Sequence, residues 1–214
     1  MKTITKISEN KKNSSRVSIY ADEEFLLSCD KELIFKRGLV KGMKIDTDLL
    51  LEIAKEDTFI RARETALRSL ERTMKTEEEI EKKLREKEFD DDTIARVISL
   101  LKEYNLLNDA RYAELYLKEK LRSRGQKKAK FELLHKGVDK EVLNEALDSL
   151  KDSSLEEETC FKLAKKKYDQ LCKREQDPFK LKSKLYTFLA GKGYEYELIS
   201  STLRKILTDS DEEY

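Results

Sequence analysis

The sequence predicts a mainly α-helical protein, three tandem three-helix repeats preceded by a small N-terminal β-hairpin segment. Three observations predict it. Charged residues make up 42% of the 214 residues, leucine outnumbers valine about six to one, and there is one proline; good helix formers abound while β-branched strand formers are scarce. Helical periodicity runs almost unbroken from Thr47 to Leu207, giving narrow apolar stripes and broad charged faces. Within that region one stretch of sequence recurs three times.

In chain order, residues 1–15 are polar and read as a flexible tail. Next, "RVSIYADEEFLLSCDKELIFKRG" alternates at Val17, Ile19 and Ala21, breaks at an acidic "DEE", and resumes at Phe25 and Leu27. That pattern predicts a β-hairpin, with a third strand expected around Leu33–Phe35. Such a ribbon is marginal alone and needs the following helix to pack on. Gly38 and Gly42 mark a turn, and "IDTDLLLEIAKE" opens a helix with Asp46 and Thr47 at N-cap positions. "TEEE" from Thr76 and "SLEE" from Ser154 read as capping boxes. Asn108 is an N-cap for a helix that places Ala113, Tyr116, Leu117 and Leu121 on one face.

The recurring stretch is "LREKEFDDDTIARVISLL" at 84–101, "LLHKGVDKEVLNEALDSL" at 133–150 and "LAGKGYEYELISSTLRKI" at 189–206. Superposed without gaps, it aligns Leu84, Leu133 and Leu189; Lys87, Lys136 and Lys192; Phe89, Val138 and Tyr194; Ile94, Leu143 and Ile199. The shared form is a helix ending in Lys-Gly, an apolar staple, an acidic or polar cap, and a second helix. Gly137 and Gly193 suit left-handed C-caps, and Glu88 stands at that place in the first copy. A further helix precedes each copy (62–72, 109–122, 156–173). The expected divisions are a tail at 1–15, hairpin and linking helix at 16–60, repeats at 61–107, 108–152 and 153–208, and an acidic tail at 209–214.

Reactive chemistry finds little support. His135, the one histidine, aligns with Glu86 and Gly191, so the repeat treats its position as free, and a general base would also need an orienting partner. Asp90 to Asp92 could suggest a divalent metal, but they fall where carboxylates cap a helix. "GLVKGMK" lacks the spacing of a phosphate-binding loop. Neither a cofactor nor a metal site is expected, and the enzyme reading is weak. Cys29, Cys160 and Cys172 form no CxxC pair, and no apolar run approaches membrane-spanning length, so a reduced, cytoplasmic protein without membrane contact is expected.

Charge is informative locally. The net charge is +1, yet 118–136 holds eight Lys/Arg against two Glu, 162–184 holds nine against three acids, and 72–96 reverses to seven against nine. The basic runs read equally well as solvated helix faces or as contacts to nucleic-acid phosphates or acidic protein. The aromatics among them, Tyr112, Tyr116, Phe131, Tyr168, Phe179 and Tyr186, have the helical spacing of core residues.

"NLLNDARYAELYLKEKLRSRGQKKAKFELLHKGVDKEVLNEAL" resembles the central signature of the RecX family of bacterial RecA regulators. "ALRSLERTMKTEEEIEKKLREKEFDDDTIARVISLLKEYNLLND" is similar to that family's preceding unit, and "YADEEFLLSCDKELIFKRGLVKGMKID" to its N-terminal segment. The likeness spans residues 16–207 in order, with "RGQKKAK" departing from the usual turn. It implies an elongated, curved array and a non-enzymatic regulator of recombination, DNA repair and the SOS response. Such a protein lies in the groove of the RecA–single-stranded-DNA filament, destabilises it, and limits ATPase and strand exchange. The implied partners are RecA and single-stranded DNA, with weaker binding of double-stranded DNA, and the protein is expected as a monomer. The alternative is a sequence-independent single-strand binder acting by competition for DNA; a scaffold for another partner is a further rival. The candidate contacts are Lys118, Arg122, Arg124, Lys127, Lys128 and Lys130, then Lys165, Lys166, Lys167, Lys180, Lys182 and Lys184.

Overall fold

Residues 1–150 and 154–211 are described by the computed structural model, and the chain divides into two units. The first comprises Met1–Met74 and Ile80–Leu106, the second Lys75–Glu79 and the chain from Leu107 onward. No helix among the described residues is long and apolar enough to cross a membrane.

The first unit begins with a four-stranded sheet built from β1 (Lys2–Asn10), β2 (Asn13–Ala21), β3 (Glu24–Asp30) and the short β4 (Lys44–Ile45), in the order β3-β2-β1-β4. The expected hairpin is β2 and β3, joined by Asp22 and Glu23 at φ 49° and 66°. Two successive positive φ values are what a tight hairpin turn needs to follow strand twist. Val17, Ile19 and Ala21 face the core, as their alternation predicts.

Three expectations are corrected here. Residues 2–10 are a strand rather than a flexible tail. Ile4 and Ile7 are three apart, which breaks strand periodicity, but a bulge between Ile4 and Lys6 lets Ile4 pair with Ala21 and Ile7 with Ile19. The third strand expected near Leu33–Phe35 is instead helix α1 (Lys31–Lys36), started by Asp30, whose side chain accepts from Glu32 N–H. The division at 60/61 falls inside one 26-residue helix, α2 (Thr47–Arg72). This helix packs on the sheet through Ile53 and Ile60, and further along it Ala62 and Ala66 are also buried.

A partly buried ion pair fixes α2 to the sheet. Asp57 on α2 accepts from Arg16 Nη1 at 3.0 Å, from Arg16 Nη2 at 2.9 Å and from Asp30 N–H at 2.8 Å. One carboxylate thus ties β2, the end of β3 and α2 together. Helices α3 (Glu77–Arg85) and α4 (Asp91–Glu103) complete the first repeat. The Arg96 guanidinium lies 3.8 Å from the Phe59 ring centroid and 2.9 Å from Glu56 Oε2, which joins α4 to α2.

The second unit holds two further three-helix sets: α5 (Asp109–Lys120), α6 (Gln126–His135) and α7 (Lys140–Asp148), then α8 (Leu155–Leu171), α9 (Pro178–Lys192) and α10 (Tyr196–Asp211). Their cores are separate. One gathers Ala113, Leu117, Ala129, Leu133, Val138, Leu143 and Leu147; the other Cys160, Ala164, Leu185, Leu189, Tyr194, Ile199 and Leu203. Of the aligned residues, Leu84, Leu133 and Leu189 and Ile94, Leu143 and Ile199 are buried in all three copies. Of the expected acidic tail, 209–211 belong to α10, which corrects that reading, and 212–214 lie outside the described residues; so does the expected division at 152/153.

Replacing Asp57 with Ala leaves Arg16 and the Asp30 N–H without their shared acceptor in a partly buried site. Chemical denaturation is expected to show a loss of about 1–3 kcal/mol.

Candidate functional site

The three repeat turns, Lys-Glu in the first copy and Lys-Gly in the other two, end their helices in the same way. The amide N–H groups of Phe89, Val138 and Tyr194 donate to the carbonyls of Leu84, Leu133 and Leu189 at 3.3, 3.1 and 3.3 Å. This is the six-to-one closure of a Schellman motif, which needs a left-handed residue just before the donor. Glu88, Gly137 and Gly193 supply it at φ 61°, 80° and 91°. The first copy therefore keeps the geometry without the glycine.

What Gly137 and Gly193 do beyond capping is visible in the second unit. The Gly125 and Lys127 N–H groups, at the start of α6, donate to the carbonyls of Lys192 and Gly193 at 3.0 and 3.1 Å. The Gln126 N–H donates to Glu156 Oε1 at 2.7 Å. A helix N-terminus normally leaves such donors bare; Gly125 offers no side-chain cap, and the end of α9 takes that role. A Cβ on Gly125 would lie 2.2 Å from the Gly193 oxygen, and one on Gly193 would lie 2.4 Å from Lys128 Cβ.

The first turn of α3 repeats this joint with the end of α6. Thr76 Oγ donates to the Lys136 carbonyl at 2.5 Å, and Glu77 N–H donates to Asp109 Oδ1 at 3.0 Å. A Cβ on Gly137 would lie 2.4 Å from Glu78 Cβ. Thr76 and Glu79 form the expected capping box, each backbone N–H donating to the other's side chain at 3.2 Å. The second box does not form: Ser154 Oγ bonds Glu158 Oε1 instead.

Electrostatics differ between the joints. Burial alone would raise the Glu79 carboxyl, but hydrogen bonds from Lys136 Nζ, at 2.7 Å, and from Thr76 N–H outweigh it and hold it below the ordinary range. Its contribution to stability is present above the unfolded carboxylate pKa and is lost as pH falls through the lowered one. At the other joint, burial raises Glu156, with the Gln126 N–H opposing.

The candidate cations divide into tethered and untethered sets. Arg124 is bound to Glu132, which also accepts from Tyr116 Oη at 2.7 Å; burial and this carboxylate push the Tyr116 phenol up to about 12. Lys118 lies 3.9 Å from Glu114, Lys180 3.8 Å from Asp177 and Lys184 2.7 Å from Glu175. Lys167 Nζ lies 5.4 Å from the Phe188 ring centroid, and Lys130 is close enough to stabilise the Glu156 carboxylate. Arg122, Lys127, Lys128, Lys165, Lys166 and Lys182 are exposed and have no ion-pair partner within 4 Å among the described residues.

The reading of the basic-run aromatics as core is corrected in part. Tyr112 and Tyr116 are half-buried, but Phe131 is 62% exposed and Phe179 82% exposed. Their helices bury Leu133 and Leu185 on the opposite side, so the apolar stripe is complete without them. His135, the last residue of α6, is exposed, and so are Glu86 and Gly191 at the aligned positions; its ring meets Phe131 edge-on at 4.3 Å. The "DDD" run caps α4: Asp90 accepts from Thr93 N–H and Oγ, both at 2.8 Å.

Fold and surface define a helical-repeat protein with an N-terminal sheet domain. Sequence profiles for the Regulatory protein RecX N-terminal domain and for the first, second and third RecX three-helix domains match residues 2–46, 62–101, 108–147 and 155–203. Regulatory protein RecX of Clostridium perfringens (strain 13) is 48% identical over 206 residues, 96% of this chain and 97% of its own. That of Clostridium acetobutylicum is 41% identical over 210 residues, 98% of each chain. A crystal structure of RecX from Lactobacillus salivarius superposes with a TM-score of 0.65 at 28% identity, covering 70% of this chain and 97% of that one. Another crystal structure, of regulatory protein RecX, shares the fold with a TM-score of 0.75 at 24% identity, over 94% and 98%. The chain belongs to the RecX family of regulatory proteins.

The two kinds of helix end respond oppositely to substitution. Gly125→Ala inserts a methyl group into a backbone contact and is expected to cost about 1–3 kcal/mol in thermal unfolding. Glu88→Gly relieves a left-handed non-glycine residue and is expected to gain about 0.5–1 kcal/mol.

Proposed function

We propose that this protein regulates homologous recombination and DNA repair by binding the RecA–single-stranded-DNA filament in its groove. There it destabilises the filament and inhibits ATP hydrolysis and strand exchange. It acts as a monomer, without chemistry of its own, in the cytoplasm. The observation that carries the reading is the match of all four RecX domains, in order, along a chain whose last two repeats hold six exposed cations with no ion-pair partner within 4 Å among the described residues. Untethered lysines and arginines on solid helices suit phosphates and carboxylates of an extended partner, and their contacts to DNA are insensitive to base sequence. Double-stranded DNA is bound more weakly.

Arg124 and Lys128 serve this reading indirectly. The first braces α6 through Glu132, and the second packs its stem against Gly193. Charge reversal at either would disturb the fold as well as any interface. Lys127, Lys165 and Lys166 carry no such duty.

The deciding measurement is RecA ATPase on single-stranded DNA, with and without the protein, at two salt concentrations. Inhibition that weakens at higher salt is expected, because released counterions oppose binding. The combined Lys127→Glu, Lys165→Glu and Lys166→Glu variant is expected to inhibit less while keeping its helical content. An absence of inhibition by the natural chain rejects the reading. Inhibition that disappears on preformed filaments under DNA-saturating conditions assigns the effect to competition for DNA instead.

A further inference from the structure

Helix α9 reads "PFKLKSKLYTFLAGK" and carries four lysines and no carboxylate. Leu181, Leu185 and Leu189 bury its inner face. On a helical wheel Lys182, Tyr186, Phe179 and Ser183 share one flank beside that stripe, about 60–160° from Leu185 at 100° per residue. Phe179 is 82% exposed there and Tyr186 38%, and the 63% exposed ring of Tyr196, at the start of α10, stands edge-on to Tyr186 at 6.2 Å. Leaving a phenylalanine almost wholly in water forgoes the burial that its size would favour. Here it stands beside an amine, Lys182, that has no ion-pair partner within 4 Å among the described residues.

Two other places in the molecule come second. The cavity of about 360 Å³ lined by Arg16, Arg61 and Arg68 is also lined by Asp30 and Glu64, which offset two of its three positive charges. On the sheet, Tyr20 and Phe25 sit beside the acidic turn Asp22–Glu24. The α9 face combines two exposed rings with an unopposed positive charge on a helix that carries no carboxylate.

We propose that this face of α9, with Tyr196, is a stacking platform for unpaired bases of a single-stranded nucleic acid. Phe179 and Tyr186 are the stacking side chains and Lys182 meets the phosphate between them. This rests on the DNA contact in the proposed function and gives it a site. Charge complementarity selects the occupant: a polyanion suits a helix without carboxylates, and the flat face of a base suits an exposed ring. Seven residues separate the rings, about 10 Å along the axis, which is roughly three steps of a strand at its stacked spacing of ~3.4 Å.

The test compares the full-length protein binding a short oligothymidylate with its binding to an abasic oligomer of the same length. The natural chain is expected to prefer oligothymidylate. Phe179→Ala and Tyr186→Ala are each expected to weaken that binding about five- to hundred-fold, leaving abasic binding, salt dependence and helical content unchanged. Lys182→Ala, by contrast, is expected to weaken both oligomers alike and to lower the salt slope by about one. Equal binding of the two oligomers, or unchanged oligothymidylate binding by both aromatic variants, overturns the platform alone. Variants that keep oligothymidylate binding yet lose filament inhibition overturn it too and assign the face to protein. If the natural chain binds neither oligomer, the DNA contact in the proposed function fails, and the platform with it.

Discussion

A helix cannot satisfy the N–H groups of its own first turn, and where such a turn is covered by protein those donors need acceptors. At α6 the acceptors are the last carbonyls of α9, Lys192 and Gly193, together with Glu156. At the first turn of α3 they include the Lys136 carbonyl and Asp109. The arrangement sets the positive end of one helix dipole against the negative end of another. It also demands close backbone approach, which a side chain at Gly125, Gly137 or Gly193 would block. The Lys-Gly of the second and third copies is thus both a cap for its own helix and a fitting for a helix of the preceding repeat. Glu88 stands at the corresponding turn of the first copy, and its side chain is exposed. The left-handed backbone persists there while the requirement for glycine does not.

This division of labour among polar groups separates framework from function. Arg16 with Asp57, Arg124 with Glu132, and Lys136 with Glu79 are paired, at least partly buried, and hold elements together. Burial also pushes the Cys29 thiol up to about 11, which leaves it inert. The cations with no ion-pair partner among the described residues stand outside these networks. An exposed lysine costs the fold almost nothing, so its surplus at 118–130 and 162–184 is open to selection for binding.

Much of the fold was legible because repetition averages out local ambiguity. Leu84, Leu133 and Leu189 identify one another, and the three superposed copies exposed His135 as a free position. The N-terminal strand was not legible. A bulge at Ile4–Lys6 scrambles the period that marks a strand, and pairing with β2 and β4 supplies the order that residues 2–10 lack alone. Helix α1 was misread because "LIF" is a good strand former, whereas the cap at Asp30 and the packing of Leu33 decide otherwise. The candidate site was half legible: the basic runs are plain in the sequence, but which cations are tethered depends on partners such as Glu132 and Glu175. Exposure of Phe131 and Phe179 was hidden because helical spacing alone does not say which of two apolar stripes meets the core.

The end-to-end joints are the heart of this account, and native-state hydrogen exchange at the Gly125 and Lys127 amides tests them most directly. If the α9 carbonyls cap α6 as described, both amides exchange only through the large opening that also exposes α9, with protection close to that of Leu133. Exchange at the rate of a frayed helix start, far faster than the rest of α6, would contradict it.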